Sequence, residues 1–226
     1  MKRFWKDVSV VDGVVLLDGR PVKTPARAPL LAPSPALAEA IADEWRAVGA
    51  TIDPRTMPLT GFTNAAIDRV GADPASFAAT LSSYAETDVL CYRAENPPEL
   101  AVRQAEVWDP MLDWARHRYD VAFTVTAGIV HVAQPPETVA RLSAAVAART
   151  PFELAALSPL VTISGSLVAG LMIAERAIDA DAAFDATHLD EIWQAELWGE
   201  DYLATETRTA RRADFCAAAR YLGLLA

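Results

Sequence analysis

The sequence is poor in the residues that build most catalytic and metal centres. Its 226 residues include two cysteines and three histidines. Cys91 and Cys216 lie far apart and outside any Cys-x-x-Cys spacing, which predicts buried thiols in a reducing compartment. His117, His131 and His188 each stand alone, without the spacing of a metal-binding motif. We therefore expect no metal and no cofactor, and each histidine should lie on the surface or be hydrogen-bonded in the core.

Glycine-rich phosphate loops and a G-x-S-x-G nucleophile turn are also missing. Ser164-Gly165-Ser166 is only superficially similar to such a turn, and small residues on an apolar helix more simply permit close helix packing. Carboxylates are the remaining catalytic candidates, since paired acids can act as general acid and base. Nothing in the sequence supports catalysis directly, but the residues by themselves leave an enzyme open. A small-molecule hydrolase that uses paired carboxylates is the alternative.

Long apolar runs and a recognisable leader are absent as well. The longest apolar run, Leu160–Ala174, has 15 residues, whereas a membrane span needs about 20. It predicts a buried core helix, and no membrane insertion is expected. Lys6 and Asp7 interrupt the start of the chain before an apolar signal region forms. The expected location is the bacterial cytoplasm, or the mitochondrial matrix if the chain is a processed eukaryotic form.

The composition that is present indicates a folded, acidic protein. Hydrophobic residues make up 52% of the chain and the mean hydropathy is +0.15, which argues against disorder. The length allows one large domain or two modest ones. The chain has 30 acidic and 20 basic residues, with a formal charge of −10. That balance argues against nucleic acid or an anionic membrane as the partner.

The first quarter of the chain is predicted to be a β-meander. Val8–Val11, Val14–Leu17 and Pro21–Lys23 have strand composition and are separated by Asp12-Gly13 and Asp18-Gly19. Asp-Gly favours tight hairpin turns, because both central residues need a positive φ. Pro21 must stand at the start or the edge of a strand, since it has no N–H to donate.

Helical spacing dominates the rest of the chain. Ser34-Pro35 predicts a capped helix start, and Gly49 a stop. Asp88–Tyr92 has strand composition, and a hairpin is expected where Phe123–Thr126 and Ile129–Val132 flank Ala127-Gly128. Further helices are predicted at Asn64–Val70, Asp73–Tyr84, Glu99–Tyr119 (kinked or divided by Pro110), Pro136–Arg149, Pro159–Ala177, Asp181–Trp198 and Asp201–Leu224.

These elements predict an α+β protein of two domains. Residues 1–96 form an α/β domain that carries the meander with packed helices. Residues 97–226 form a mainly helical domain, whose hairpin near 122–133 could pack on the first. Asn96-Pro97-Pro98 breaks the chain at the boundary.

The segment between Arg176 and Arg208 has no lysine or arginine. It carries nine acids, so the remainder of the chain has 21 acids against 20 bases. An acidic segment that contains aromatic residues suggests a recognition surface for a basic or polar partner. The acids are Asp179, Asp181, Asp185, Asp190, Glu191, Glu196, Glu200, Asp201 and Glu206.

A helical wheel at about 100° per residue places two residues of this segment against the pattern. Glu196 falls in the middle of the apolar stripe, and Trp198 falls on the opposite, polar side. Gly199 is placed to end the helix and Asp201 to cap the next one. Breaks of a binary pattern tend to occur at functional sites. The apolar stripe consists of Leu189, Ile192, Trp193 and Leu197.

Each break also has a structural explanation. A glutamate on a buried face needs a cationic partner, and Arg208, Arg211 or Arg212 of the next helix could supply one. Trp198 is either packed under the following turn or exposed to a partner. The other acids are expected to be solvated or to stabilise helix N-termini.

Ordered motifs along nearly the whole chain resemble the family of assembly chaperones that attend the alpha subunit in the F₁ sector of ATP synthase. None has a catalytic meaning, but their order and coverage are specific. They are Arg3-Phe4-Trp5-Lys6-Asp7-Val8, Leu17-Asp18-Gly19-Arg20, Lys23-Thr24-Pro25, Glu44-Trp45, Met57-Pro58-Leu59-Thr60, Asn64-Ala65-Ala66-Ile67-Asp68, Thr87-Asp88-Val89-Leu90-Cys91-Tyr92-Arg93, Gln104, Trp108-Asp109-Pro110 and Trp193-Gln194-Ala195-Glu196-Leu197-Trp198-Gly199.

The resemblance implies a chaperone, not an enzyme, that binds the free alpha subunit and prevents its aggregation until it pairs with beta. It also implies a β-containing N-terminal domain followed by a helical one, and an important role for Glu196. Leu197 departs from relatives in which that position is often polar, which leaves the exposure of this face open. A monomer is expected, and a generic interaction module with another client is a third possibility. The predicted partner-binding residues are Glu191, Trp193, Glu196, Trp198, Glu200 and Asp201.

Overall fold

The structure is a computed structural model that describes residues 2–225. Within these residues, ten α-helices and five short β-strands follow one another, and the strands concentrate near the N-terminus. This confirms the predicted α+β class with a helical C-terminal region. The elements are β1 Val8–Val11, β2 Val14–Leu17, β3 Arg20–Pro21, α1 Pro35–Ala47, α2 Pro58–Ala65, α3 Pro74–Ser82, β4 Tyr92–Arg93, α4 Pro98–Tyr119, β5 Thr126–Ala127, α5 Pro136–Ala147, α6 Pro151–Ser164, α7 Leu167–Ala174, α8 Ala180–Thr187, α9 Leu189–Trp198 and α10 Tyr202–Leu224.

The chain divides into two compact units that each combine separate segments. Unit 1 comprises Met1–Pro74, Arg149–Ala156 and Ala217–Ala226. Unit 2 comprises Ala75–Ala148 and Leu157–Cys216. The domain boundary expected from the sequence stays a prediction about independently folding parts of the chain. Within residues 2–225, no helix combines the length and the apolar character that crossing a membrane requires.

The meander of unit 1 forms as predicted. β1 pairs antiparallel with β2, and β2 with β3. Asp12 and Gly13 have φ values of 50° and 78°, and Asp18 and Gly19 have 48° and 75°. Both turns therefore have the two positive φ angles that Asp-Gly allows. The third strand is Arg20–Pro21 rather than Pro21–Lys23 and lies at the edge of the sheet, where the missing proline N–H is tolerated.

Helix α1 begins at the predicted cap, since the Ser34 hydroxyl accepts the Leu37 N–H at 3.1 Å. Helix α2 begins at Pro58, earlier than the predicted Asn64. The reason is a side chain distant in sequence: the Glu44 carboxylate accepts the N–H groups of Leu59 and Thr60, each at 2.8 Å. Burial raises the pKa of this Glu44 carboxyl.

The predicted strand Asp88–Tyr92 is wrong, because a fully buried aspartate turns the chain there. Val89–Cys91 form a 3-10 turn in which the Asp88 carboxylate accepts the Leu90 N–H at 3.1 Å. The same carboxylate accepts the Val168 N–H at 2.9 Å and so also caps α7. Only Tyr92–Arg93 remain as strand, β4.

The predicted hairpin near 122–133 is also wrong. Thr126–Ala127 form β5, which pairs parallel with β4 instead of with Ile129–Val132. The buried Gln134 side chain takes the place of a partner strand. Its amide oxygen accepts the Thr124 N–H and its amide nitrogen donates to the Thr124 carbonyl, both at 2.9 Å.

Two long predicted helices are each divided. The expected helix Pro159–Ala177 consists of α6, which begins at Pro151, and α7; they separate at Gly165, whose φ is 67°. Ser166 then caps α7 by accepting the Ala169 N–H at 3.0 Å. The expected helix Asp181–Trp198 separates at His188 into α8 and α9. By contrast, α4 continues through Pro110 undivided.

The core of unit 2 joins α4, α7 and α9. Trp108 of α4 is almost fully buried, and its indole N–H donates to the Ala186 carbonyl at 2.7 Å. Met172 of α7 and Leu189 of α9 lie in the same cluster, and Trp193 packs against it from the side. The first turns of α9 are therefore anchored in the core, whereas its last turn extends beyond it.

Candidate functional site

Helix α9 is fixed against α4 by polar contacts along its length. Gln104 donates from its side chain to the Asp190 carboxylate at 2.7 Å. Further along, the two terminal guanidinium nitrogens of Arg103, Nη1 and Nη2, donate to the Glu196 carboxylate at 2.5 and 3.0 Å. The Arg103 guanidinium carbon also lies 5.6 Å from the centre of the Trp193 ring, a cation–π distance. These contacts hold Trp193 half-buried and orient the end of α9.

Glu196 is paired, but with a different arginine from the three considered in the sequence. Arg208 binds Glu200 at 3.4 Å, Arg211 binds Glu191 at 2.8 Å, and Arg212 binds Asp181 and Asp185. The apolar stripe of α9 faces α4, so the cation for Glu196 comes from α4 and not from α10. Its side chain stays 50% exposed, because the pair lies at the rim of the core.

The electrostatics of Glu196 favour a fixed negative charge. The hydrogen-bonded Arg103 guanidinium lowers the pKa of the Glu196 carboxyl below its usual range. A general acid would need the opposite change. The hydrolase alternative therefore gains no support from this residue.

The turn after α9 follows the prediction from the sequence. The Gly199 N–H donates to the Ala195 carbonyl at 2.9 Å, and Gly199 has a φ of 85°. The Asp201 carboxylate accepts the Ala204 N–H at 2.9 Å and caps α10. Both ends of the turn are thereby fixed by hydrogen bonds.

A cluster of exposed apolar side chains surrounds this turn. Trp198 is 78% exposed, which decides between the two possibilities that the sequence left open. Leu197 is 55% exposed, which answers the question of exposure that the sequence left open for this face: α9 ends beyond the core. Tyr202 and Leu203 are 77% and 68% exposed in the first turn of α10. We call Leu197, Trp198, Tyr202 and Leu203 the apolar turn.

Sequence reasoning missed Tyr202 and Leu203 as candidate site residues. The sequence could have indicated them, because Tyr202 and Leu203 follow Asp201 directly and continue the apolar residues of α9 beyond Gly199. Whether such residues are exposed depends on where the core of unit 2 ends. The helices α4 and α7 determine where this core ends, and the sequence of α9 alone gives no information about their packing.

Most acids of the segment are engaged within unit 2. Five of the nine pair with arginines, and Asp190 accepts a hydrogen bond from Gln104. Asp179 and Asp201 cap helices, as expected for acids at helix N-termini. Glu206 is exposed. Carboxylates still outnumber the arginines that bind them, so the surface keeps its acidic character.

A cavity of about 420 Å³ lies between α9 and α10 beside the apolar turn. Glu191 and Asp201 both line it, but Arg211 binds both oxygens of Glu191 and Asp201 caps a helix. Both carboxylates are therefore engaged in contacts within unit 2. The lining residues are Glu191, Gln194, Ala195, Trp198, Gly199, Asp201, Ala204, Thr205, Thr207, Arg208 and Arg211.

The histidines and cysteines do not form a second site in the described residues. Within residues 2–225, no cluster of His, Cys, Asp and Glu could hold a metal ion. His188 is buried and hydrogen-bonded to the Phe184 carbonyl, and His117 and His131 also have hydrogen-bond partners, as predicted. Burial raises the pKa of the Cys91 thiol to about 12.

The exposed apolar residues and the acidic charge of this surface are typical of a protein that binds other proteins. A model of the family described as ATP12 chaperone protein matches residues 2–116 of the chain. The chain therefore belongs to the ATP12 chaperone family, which confirms the resemblance found in the sequence.

Relatives of known structure match over the full length. The chain is 42% identical to Atp12 of Paracoccus denitrificans, with a TM-score of 0.95 over 100% of this chain and 98% of that one. An Asp-to-Lys variant of that protein matches with a TM-score of 0.94 at 42% identity, over 100% of this chain and 98% of the variant. A candidate chaperone from Agrobacterium tumefaciens is 40% identical, with a TM-score of 0.95 over 100% of this chain and 86% of its own.

The fission yeast protein atp12, which is mitochondrial, is a more distant relative. It is 28% identical over 214 residues, which cover 88% of this chain and 74% of the yeast protein.

Proposed function

We propose that the protein is an assembly chaperone that binds the free alpha subunit of the F₁ sector of ATP synthase. It prevents aggregation of alpha until alpha pairs with the beta subunit. The observation that carries the proposal is the full-length match to an Atp12 structure at 42% identity. The motifs that resemble alpha-subunit chaperones include the α9 end, Trp193 to Gly199, where the structure has an exposed surface.

The surface fits a protein client better than a small substrate. Four large apolar side chains are exposed within the seven residues from Leu197 to Leu203. Clustered exposed apolar residues in a soluble protein commonly mark a surface for protein contact. In the free chaperone this exposure is unfavourable, and a bound client would remove it from water.

The predicted partner-binding residues take different parts in this proposal. Trp198 contacts the client directly. Glu196, Glu191 and Glu200 form a charged rim whose arginine partners keep it in place. Trp193 supports α9 from the core side, and Asp201 fixes the start of α10.

We place this function in the bacterial cytoplasm, or in the mitochondrial matrix for a processed eukaryotic form. The proposal takes the chaperone as a monomer that binds neither nucleic acid nor membranes. The higher identity to the Paracoccus and Agrobacterium proteins than to the fission yeast protein supports a bacterial setting.

A pull-down with purified free alpha subunit tests the proposal. The protein should retain alpha, and it should not retain an unrelated nucleotide-binding protein of similar size. Equal retention of both, or of neither, would contradict a dedicated alpha-subunit chaperone.

A further inference from the structure

Hydrogen bonds on both sides hold the apolar turn in place. Arg103 and Gln104 of α4 hold α9 on one side of the turn. Gly199 ends α9 and Asp201 caps α10 on the other side. Since a fixed surface loses little conformational freedom on binding, this arrangement favours affinity for a partner of matching shape.

The cavity beside the turn gives the surface a recess. Trp198 lines it from α9, whereas Ala204, Thr207 and Arg208 line it from α10. Apolar side chains that fill a recess next to an exposed aromatic residue commonly contribute most of the energy of a protein interface. Trp198 belongs to both, so a recess with a mixed polar and apolar lining adjoins the apolar turn.

Charge around the turn determines what can approach it. Glu196, Glu200, Asp201 and Glu206 are all exposed within or beside it. The arginines that bind the first two are less exposed than the carboxylates: Arg103 is 36% exposed against 50% for Glu196, and Arg208 16% against 65% for Glu200. A partner therefore meets negative charge first, and a cationic partner is favoured.

We propose that the apolar turn and the cavity beside it bind one amphipathic segment of the client that carries apolar side chains together with lysine or arginine. The inference rests on the proposed function, since it names the chemistry of the client segment. The apolar side chains of the segment cover Trp198, Tyr202 and Leu203, and its basic side chains face Glu196, Glu200 and Glu206.

The first experiment compares the full-length wild-type protein with a triple variant, Trp198→Ser, Tyr202→Ser and Leu203→Ser. All three side chains are more than two thirds exposed, so circular dichroism and the melting temperature should stay unchanged. The matched control changes two other strongly exposed apolar residues of unit 2, Ile129→Ser and Val130→Ser, which lie between α4 and α5. The triple variant should bind free alpha subunit at least about tenfold more weakly, and the control should bind as the wild type does.

A second experiment tests the surface without the alpha subunit. Fluorescence anisotropy measures the binding of a short helical peptide of leucine and lysine, and of the same peptide with glutamate in place of lysine. The lysine peptide should bind the wild type, bind the triple variant about tenfold more weakly, and lose affinity as salt rises. The glutamate peptide should not bind.

The outcomes separate the inference from the proposed function. If the wild type does not bind alpha, the proposed function fails. The peptide experiment then still shows whether the apolar turn binds a basic amphipathic segment. If alpha binds the wild type and the triple variant equally, the inference is wrong and the proposed function stands. The inference is also overturned if the two peptides bind equally. It is overturned as well if the Ile129 and Val130 control loses as much affinity for alpha as the triple variant does.

Discussion

The geometry of the candidate site depends on single side-chain contacts between residues that are far apart in sequence. The Arg103–Glu196 pair joins residues 93 positions apart, so no local pattern indicates it. The helical wheel places Glu196 in the apolar stripe of α9 and predicts that it needs a cation; the structure pairs it with Arg103 but leaves its side chain half-exposed. The identity of that cation required knowing that α4 packs against this face. The exposure of Trp198 and Leu197 likewise depends on the extent of neighbouring helices.

We predict that Glu196→Lys weakens binding of free alpha subunit by at least about tenfold while the fold stays intact. The substitution places a lysine against Arg103 and reverses a charge beside the apolar turn. Titration of alpha measures the binding, and circular dichroism monitors the fold. An unfolded variant would mean that Glu196 is a structural residue, and unchanged binding would remove it from the site.

A charge swap identifies how Glu196 acts. In the double variant Arg103→Glu, Glu196→Arg the ion pair can form with the opposite polarity. If Glu196 only orients α9, the swap should restore binding. We expect it not to restore binding, because the proposed function has the negative charge of Glu196 itself facing the client.

Asp88 gives a prediction for stability against pH. Burial raises the pKa of its carboxyl from 3.8 to about 6. Because the folded-state pKa is the higher one, the stabilisation it contributes is complete below about pH 4 and is lost as the pH rises through about 6. Urea unfolding between pH 4 and pH 7 should show the wild type losing stability relative to Asp88→Asn as the pH rises. A constant difference between the two would contradict this assignment.

At the scale of elements, sequence patterns of a few neighbouring residues correctly predict turns and helix ends. The two Asp-Gly turns, the Ser34 cap, the Gly199 stop and the Asp201 cap all formed where the sequence placed them. Each depends on backbone conformations that neighbouring residues determine.

The errors share a physical cause. Glu44 fixes the start of α2, Asp88 replaces an expected strand with a turn, and Gln134 replaces an expected strand partner. In each case a buried or half-buried polar side chain satisfies backbone N–H or C=O groups that would otherwise need regular pairing, and Asp88 does so both for nearby Leu90 and for distant Val168. Composition gives no information about such partners, because they exist only after the fold has formed.

Close packing of α7 on α6 gives a prediction at this scale. A Cβ atom at Gly170 would lie 2.8 Å from Val161 Cγ2 and 3.0 Å from Leu157 Cδ1. Gly170→Val should therefore destabilise the protein by about 3 kcal/mol. Gly61 of α2 is the control, since its Cβ would meet nothing within 4 Å, and Gly61→Ala should stabilise by about 0.5 kcal/mol. Chemical denaturation measures both, and equal effects at the two sites would refute the packing argument.

At the scale of the whole molecule, the candidate surface lies in unit 2, in the part of the chain with the strongest acidic bias. The α+β class and the family resemblance were available from the sequence, because the motifs span nearly its full length. The sequence did not indicate that unit 1 takes in chain from residues 149–156 and from the C-terminal end. In unit 1, Tyr221 is buried and contacts Thr63 through their hydroxyl groups at 3.2 Å.

The central claim is that this protein keeps the free alpha subunit from aggregating until beta is present. Light scattering during dilution of unfolded alpha subunit out of denaturant tests it most directly. An equimolar amount of the protein should suppress the scattering, and later addition of beta should move alpha from the chaperone into an alpha–beta complex. If scattering rises equally with and without the protein, or if an unrelated acidic protein suppresses it as well, the account is contradicted.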